Sequence, residues 1–174
     1  SPSLQKQLIK TCKTSLKAIN LDIEKIEKQI KDLIDKDPHL KELFELITSV
    51  PGVGSATASE LIIASNEFTA ITDPKKLACH AGVAPFEYQS GSSIKGKTRV
   101  SHHARKRLKS LFHLGAMYDI RVKGEIRDYY LRKVAEGKNK MSVLNAVRNK
   151  LIHRVCAVVY HQKKYDKNYT PILA

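Results

Sequence analysis

Val50-Pro51-Gly52-Val53-Gly54-Ser55-Ala56-Thr57-Ala58-Ser59 is the stretch whose reading decides the fold. It interrupts two apolar segments. Leu40, Leu43, Phe44 and Ile47 lie on one helical face before it, and Glu60-Leu-Ile-Ile-Ala64 follows it. Pro51 with Gly52 and Gly54 therefore predicts a tight turn between two helices. Both glycines permit positive φ, and their small size lets a phosphate approach the backbone. The amides from Val53 to Ala56 open the second helix, where the dipole favours an anion. No Lys or Arg follows Gly54 directly, and the local charge is negative. The turn is expected either to pack two helices or to touch phosphate through backbone alone.

Toward the N-terminus, Ile9, Cys12, Leu16, Ile19, Ile23, Ile26, Ile30 and Leu33 alternate spacings of three and four. That is a heptad seam, with Glu24, Lys25, Glu27 and Lys28 as charged shoulders. Asp37-Pro38 ends it, because proline cannot continue the hydrogen-bond ladder. The spacing predicts a coiled-coil arm over residues 1–37. It suits either a homo-oligomer or an antiparallel hairpin with another helix, and periodicity leaves both open.

Toward the C-terminus, Asn66 to Asp73 reads as a polar connection and Pro74 as a first helical turn. Gly82-Val-Ala-Pro85 breaks that helix and leads into Tyr88-Gln-Ser-Gly-Ser-Ser-Ile-Lys-Gly-Lys97. Ser101 is the expected N-cap of a helix through Tyr118. Ala104, Leu108, Leu111, Phe112 and Gly115 form its inner stripe, with Arg105, Lys106 and Lys109 off it. Gly124 starts a shorter helix with Ile126, Tyr130, Leu131 and Val134 inward, closed by Gly137. Lys140 to His161 is the last helix, with Leu144, Val147, Leu151, Val155 and Val158 inward and Arg148 and Arg154 projecting elsewhere. No strand-rich region or fixed repeat is seen. The expectation is an all-α fold: arm 1–37, compact helical domain 38–165 and extended tail 166–174.

Composition narrows the function classes. Of 174 residues, 42% are hydrophobic and 28% charged, as in a globular chain. No apolar run reaches the length of a spanning helix, and the N-terminus lacks the apolar core of a signal peptide. Cys12, Cys79 and Cys156 are scattered and odd in number, which points to a reducing, cytoplasmic setting and away from a disulfide framework. Cys79-His80 and His102-His103 lack zinc-site spacing, so no metal site is expected in this chain.

The formal net charge is +14, and it is uneven. Residues 1–50 carry nine Lys or Arg against eight Asp or Glu, and residues 51–90 carry two against four. Residues 91–174 carry 20 against five. A polyanion is the natural partner, nucleic acid rather than membrane. The Tyr88–Lys97 stretch stands at the onset of this basic segment. Its three serines, two glycines and two lysines suit a flexible linker. Spacing alone favours that linker, but the same residues could form a loop holding a hydroxyl nucleophile beside cations, for attack on a phosphodiester.

The Val50–Ser59 turn resembles the helix-hairpin-helix motif, with its hydrophobic-Pro-Gly-hydrophobic-Gly signature. Four blocks together carry a wider resemblance. They are Ile47-Thr-Ser-Val-Pro-Gly-Val-Gly-Ser-Ala-Thr-Ala58, Leu77 through Gly82-Val-Ala-Pro85, Gln89 through Lys97, and Ser101 through Leu111 to Gly115-Ala116. In these the chain is similar to the C-terminal domain of the DEDD-type insertion-sequence transposases related to the Piv invertase, the recombinases guided by a bridge RNA. With the following helices, the likeness covers roughly residues 40–165.

The resemblance implies DNA as substrate and a guide RNA as further partner. It also implies an N-terminal RNase-H-like domain with four acidic residues and Mg²⁺, and a C-terminal serine that links covalently to the DNA phosphate. By position that serine is Ser90, with Ser92 as fallback. Lys95, Lys97 and Arg99 would neutralise phosphate around it, with Gly52, Gly54, Arg105, Lys106 and Lys109 as further nucleic-acid contacts. The chain departs from the pattern at His102-His103-Ala104, where many members have Lys-Arg-Gly, and at Lys109, where an Arg is common. The expected whole is a nucleoid-associated recombinase of which this chain is a fragment, inactive without the acidic domain. The rival readings are a non-enzymatic helix-hairpin-helix binding module and a coiled-coil scaffold.

Overall fold

The computed structural model describes residues 2–87, 89–90, 94–96, 99–100 and 104–167. In chain order the elements are α1 (Pro2–Lys36), α2 (Pro38–Thr48), α3 (Ser55–Ser65) and α4 (Pro74–His80). Four two-residue strands follow: β1 (Pro85–Phe86), β2 (Gln89–Ser90), β3 (Ile94–Lys95) and β4 (Arg99–Val100). Then come α5 (Lys106–Asp119), α6 (Glu125–Ala135) and α7 (Lys140–His161). The fold is all-α, as the periodicity predicts. The chain forms two compact units, Ser1–Lys41 and Glu42–Ala174.

In the first unit α1 leaves its apolar seam open. Ile9, Leu16, Ile19, Ile23, Ile26, Ile30 and Leu33 are 41–65% exposed. Pro38 stops the helix by lacking an N–H, and Asp37 turns that break into the start of α2. Its Oδ1 accepts from the amides of His39 (2.9 Å) and Leu40 (3.2 Å), satisfying first-turn donors that would otherwise be orphaned.

The second unit is organised on α7, against which α4, α5 and α6 pack. Leu144, Val147, Leu151, Ile152 and Val155 of α7 are buried together with Leu108, Phe112 and Ala116 of α5. α3 packs on α5 and contributes Ala58 and Leu61 to the core. After α3, Asn66, Glu67 and Phe68 all take left-handed backbone with φ of 50 to 60°. Such residues cost roughly 1 kcal/mol or more each. Burial of the Phe68 ring and its amide bond to Ser65 Oγ (3.0 Å) offset that cost. At the other end, Lys164 and Tyr165 return to α2, where Lys164 Nζ meets Glu45 Oε2 (2.9 Å) and the Tyr165 amide donates to Ser49 Oγ (2.8 Å).

Four expectations need correction. Gly54 has φ −92° and caps α3, so only Gly52 (φ +77°) needs glycine's freedom in the turn. The helix after the Ser/Gly stretch begins at Lys106, and Arg105 before it is extended (ψ 96°). The expected cap Ser101 lies outside the described residues. Leu131 faces solvent, because α6 lies at the edge and buries only Ile126 fully. The Ser/Gly stretch is not simply a loop: β1 pairs antiparallel with β4 and β2 with β3. Most of the expected tail, residues 168–174, lies outside the described residues.

The α2–α3 turn sits directly on the C-terminal half of α5. A Cβ built on Gly115 would fall far inside contact distance of the Gly52 carbonyl oxygen, a backbone atom that cannot swing away. A Cβ on Gly52 would meet the Asp119 carboxyl at 2.9 Å. The packing therefore requires glycine on both surfaces. Asp119 itself is buried, and its Oδ2 has no partner among the described residues. Burial pushes its carboxyl above the usual range, against the opposing influence of Arg154.

Gly115→Ala is expected to cost about 1–3 kcal/mol by overpacking, read as a lowered midpoint in thermal or urea unfolding. An unchanged midpoint would contradict the close approach. Because the folded pKa of Asp119 is raised, its contribution to stability is full below the unfolded carboxylate range and falls as pH rises through the raised value. Asp119→Asn should thus melt higher than the parent at pH 7, with the gap closing below about pH 4. A gap independent of pH would show that the buried charge is not the cause.

Candidate nucleic-acid interface

The basic segment begins on a short β-ladder. Pro85 pairs with Val100 and Phe86 with Arg99 in the outer step, and Gln89 with Lys95 and Ser90 with Ile94 in the inner one. Ser90 is thus the last residue of β2, opposite Ile94 on β3. Lys95 lies on the returning strand beside it, and Arg99 on β4. Ser92 and Lys97 lie outside the described residues.

Both feet of this ladder are tied to helices. On the outgoing side, the Val83 and Ala84 amides donate to the Ala78 carbonyl (2.9 and 3.1 Å), and Asn145 Nδ2 of α7 donates to the Val83 carbonyl (2.8 Å). On the returning side, the Arg105 amide donates to the His80 carbonyl (2.9 Å). The ends of α4, α5 and α7 therefore frame the hairpin's root.

One carboxylate from α3 organises the head of α5. Glu60 is buried, and its Oε1 accepts from Arg105 Nε at 2.6 Å while its Oε2 lies 3.1 Å from Arg107 Nε. Arg107 stays largely exposed, as does Lys106, and Lys109 is half-buried. No Asp or Glu occurs between Glu87 and Asp119, so this edge is strongly positive. Farther along, the cations are more occupied. Arg154 pairs with Glu125 and stacks on Tyr165, Lys133 meets Glu136 at 2.7 Å, and Lys150 lies 4.7 Å over the Tyr129 ring.

Arg148 departs from expectation. It is buried rather than projecting away, with NH2 2.7 Å from His113 Nδ1 and NH1 3.4 Å from Asn145 Oδ1. Its Nε and the Nε2 of His80 have no partner among the described residues. Burial, then the Arg148 charge, hold the His113 imidazole below its ordinary value, and burial lowers Arg148 as well. His113 must be neutral to accept at Nδ1. Protonation would set two cations against each other at the hairpin's root.

The sequence-derived residues fall into two regions. Gly52 and Gly54 lie at the turn on the C-terminal end of α5, and Ser90, Lys95, Arg99, Arg105, Lys106 and Lys109 gather at the hairpin and the head of α5. Ten residues of rise separate Arg105 from Gly115, roughly 15 Å. Glu60, Arg107, His113 and Arg148 are additions. Arg148 had a signal, since it stands four residues after Leu144 and three before Leu151 on the inward stripe. Among the described residues, no three His, Cys, Asp or Glu side chains come together to hold a metal ion. The buried Cys156 thiol is pushed up to about 12, first by burial and then by Asp73, so it is inert as a nucleophile.

Among the described residues no helix is long and apolar enough to cross a membrane. Comparison with known proteins gives concordant matches. The pilin gene-inverting proteins of Moraxella bovis and Moraxella lacunata are 29% and 28% identical over 146 residues, 83% of this chain and 45% of theirs. The IS110 insertion-element 43.6 kDa protein of Streptomyces coelicolor is 32% identical over 131 residues, 75% of this chain and 31% of its own length. The chain thus spans less than half the length of these relatives. The family model for the IS116/IS110/IS902 transposases matches residues 44–131, and the chain belongs to that family.

Proposed function

We propose that the chain is the DNA-contacting, serine-bearing part of a transposase or site-specific recombinase, with Ser90 as the nucleophile. The observation that carries this reading is the anchored root of the Ser90 hairpin within a segment, residues 88–118, that holds no Asp or Glu. In the reaction proposed, Ser90 Oγ forms a bond to phosphorus while one P–O bond to deoxyribose breaks. The departing sugar hydroxyl takes a proton, and the serine gives up its own. A serine hydroxyl is a weak nucleophile near neutral pH and needs a base or a metal to activate it. Among the described residues no cluster of His, Cys, Asp or Glu could hold Mg²⁺. Activation would come from an RNase-H-like acidic domain, and a guide RNA would be the further partner. The part this chain plays is to hold the serine and to supply cations that neutralise the phosphate.

The arm belongs to the same proposal. Its open seam is matched by a charge gradient: Lys6, Lys10, Lys13 and Lys17 stand without an acidic residue in the first half, and Asp22, Glu24, Glu27, Asp32 and Asp35 outnumber lysines in the second. Two copies laid antiparallel would bring opposite halves together, and parallel pairing would not. Homo-oligomerisation through α1 is therefore proposed with antiparallel order.

In the full-length recombinase, Ser90→Ala is expected to abolish strand exchange and the covalent protein–DNA adduct while DNA binding persists. Recombination at the parental rate would remove Ser90 from the role, and loss confined to Ser92→Ala would move it by two residues. By light scattering the 174-residue chain should be a dimer and the chain lacking residues 1–36 a monomer. A parent that is monomeric at high concentration would contradict the self-pairing arm.

A further inference from the structure

We propose that Glu60 is a positioning residue that holds Arg105 and Arg107 as a two-armed fork for a DNA phosphodiester at the foot of the hairpin. The proposal rests on the DNA-binding reading above and adds to it a residue of the opposite charge. Glu60 lies on α3, beside Leu61 and Ile62, and is only 7% exposed. A carboxylate there carries a desolvation cost that an apolar residue would avoid. Each of its oxygens engages one arginine through Nε, Arg105 at 2.6 Å and Arg107 at 3.1 Å. The terminal amino groups of both guanidiniums are left without a partner among the described residues. One negative charge thus fixes two positive ones, and the fork keeps a net positive charge.

Stability alone accounts poorly for this arrangement. The part-buried Arg105 bond satisfies the buried carboxylate, but the Arg107 side chain is 73% exposed, and a pair that open to solvent contributes little to folding. Orientation is what the Arg105 contact supplies well, because its Nε donates a hydrogen bond to Glu60 that sets the guanidinium plane and the direction of its remaining donors, while Arg107 is drawn to the same carboxylate as an ion pair. Phosphate is the group whose oxygens match that geometry, and residues 88–118 hold no carboxylate to compete for it. The backbone reinforces the aim. The Arg105 amide is anchored on the His80 carbonyl, and α5 starts with no side-chain cap and no acidic residue in its first turn. Arg107 was not apparent from the motif, because only its pairing with Glu60 distinguishes it from the neighbouring cations.

The sign of one substitution separates positioning from proximity. Glu60→Gln removes a negative charge from beneath a DNA-facing surface, so a bystander role makes DNA binding tighter. A positioning role makes it weaker. The test is fluorescence anisotropy of the 174-residue chain on a labelled duplex of about 30 base pairs, titrated across salt. Glu60→Gln and Arg107→Ala are each expected to weaken binding about tenfold at low salt and to reduce the salt slope by about one. Arg107→Lys should not restore it, since an ammonium cannot bridge carboxylate and phosphate in one plane.

Thermal melting run alongside identifies any unfolded variant. Arg107→Ala, at an exposed position, carries the test if Glu60→Gln fails to fold. Equal or tighter binding by folded Glu60→Gln, or an unchanged slope in Arg107→Ala, overturns the fork and leaves the Ser90 assignment standing. A parent chain that binds no duplex at any salt overturns the fork together with the DNA reading.

Discussion

Two absent side chains hold the second unit in register. Because neither Gly52 nor Gly115 carries a Cβ, the α2–α3 turn can rest its backbone on α5, with the Asp119 carboxyl beneath it. That contact fixes one end of α3. The middle of α3 presents Glu60 to the head of α5, where it hydrogen-bonds Arg105 and pairs with Arg107. α3 is in this sense a strut between the turn and the root of the hairpin. The glycine motif consequently has a structural part to play even before any phosphate is considered.

The electrostatics follow from that placement. Positive charge farther along the chain is shared among Glu125, Glu136 and tyrosine rings, whereas at the head of α5 Arg105 and Arg107 share Glu60. Beneath the same root lies Arg148, buried with no carboxylate partner among the described residues and leaning on a neutral His113. Buried cations of this kind are costly, and the cost falls where the proposed reaction needs a cation-rich, rigid support. Burial of Asp119 imposes a similar penalty at the opposite end of α5.

Much of the helical order is legible in local patterns. Lys140–His161 is delimited by Asn139, whose side chain caps the helix by accepting from the Met141 and Ser142 amides, and the inward stripe runs unbroken to Val158. Gly124 and Gly137 bracket α6 for equally local reasons. The start of α5 is another matter. Ser101 is a reasonable cap by residue type, yet Arg105, held by its long-range bond to His80, is extended immediately before Lys106. The hairpin strands are two residues long, too short for any alternation to register. Leu131 has the right spacing for burial, but the edge position of α6 leaves nothing to cover it.

By itself the sequence determined the all-α class, the break at Pro38, the turn at Val50–Gly54, the uneven charge and the candidate serine. These rest on backbone chemistry, side-chain period and motif, all of which act over a few neighbouring residues. The tertiary structure alone decided that Gly52 faces Gly115, that Glu60 joins Arg105 and Arg107, and that Arg148 lies inside against His113. Those pairings span 35 to 63 residues of chain, and they exist only once packing on α5 and α7 has brought distant side chains together.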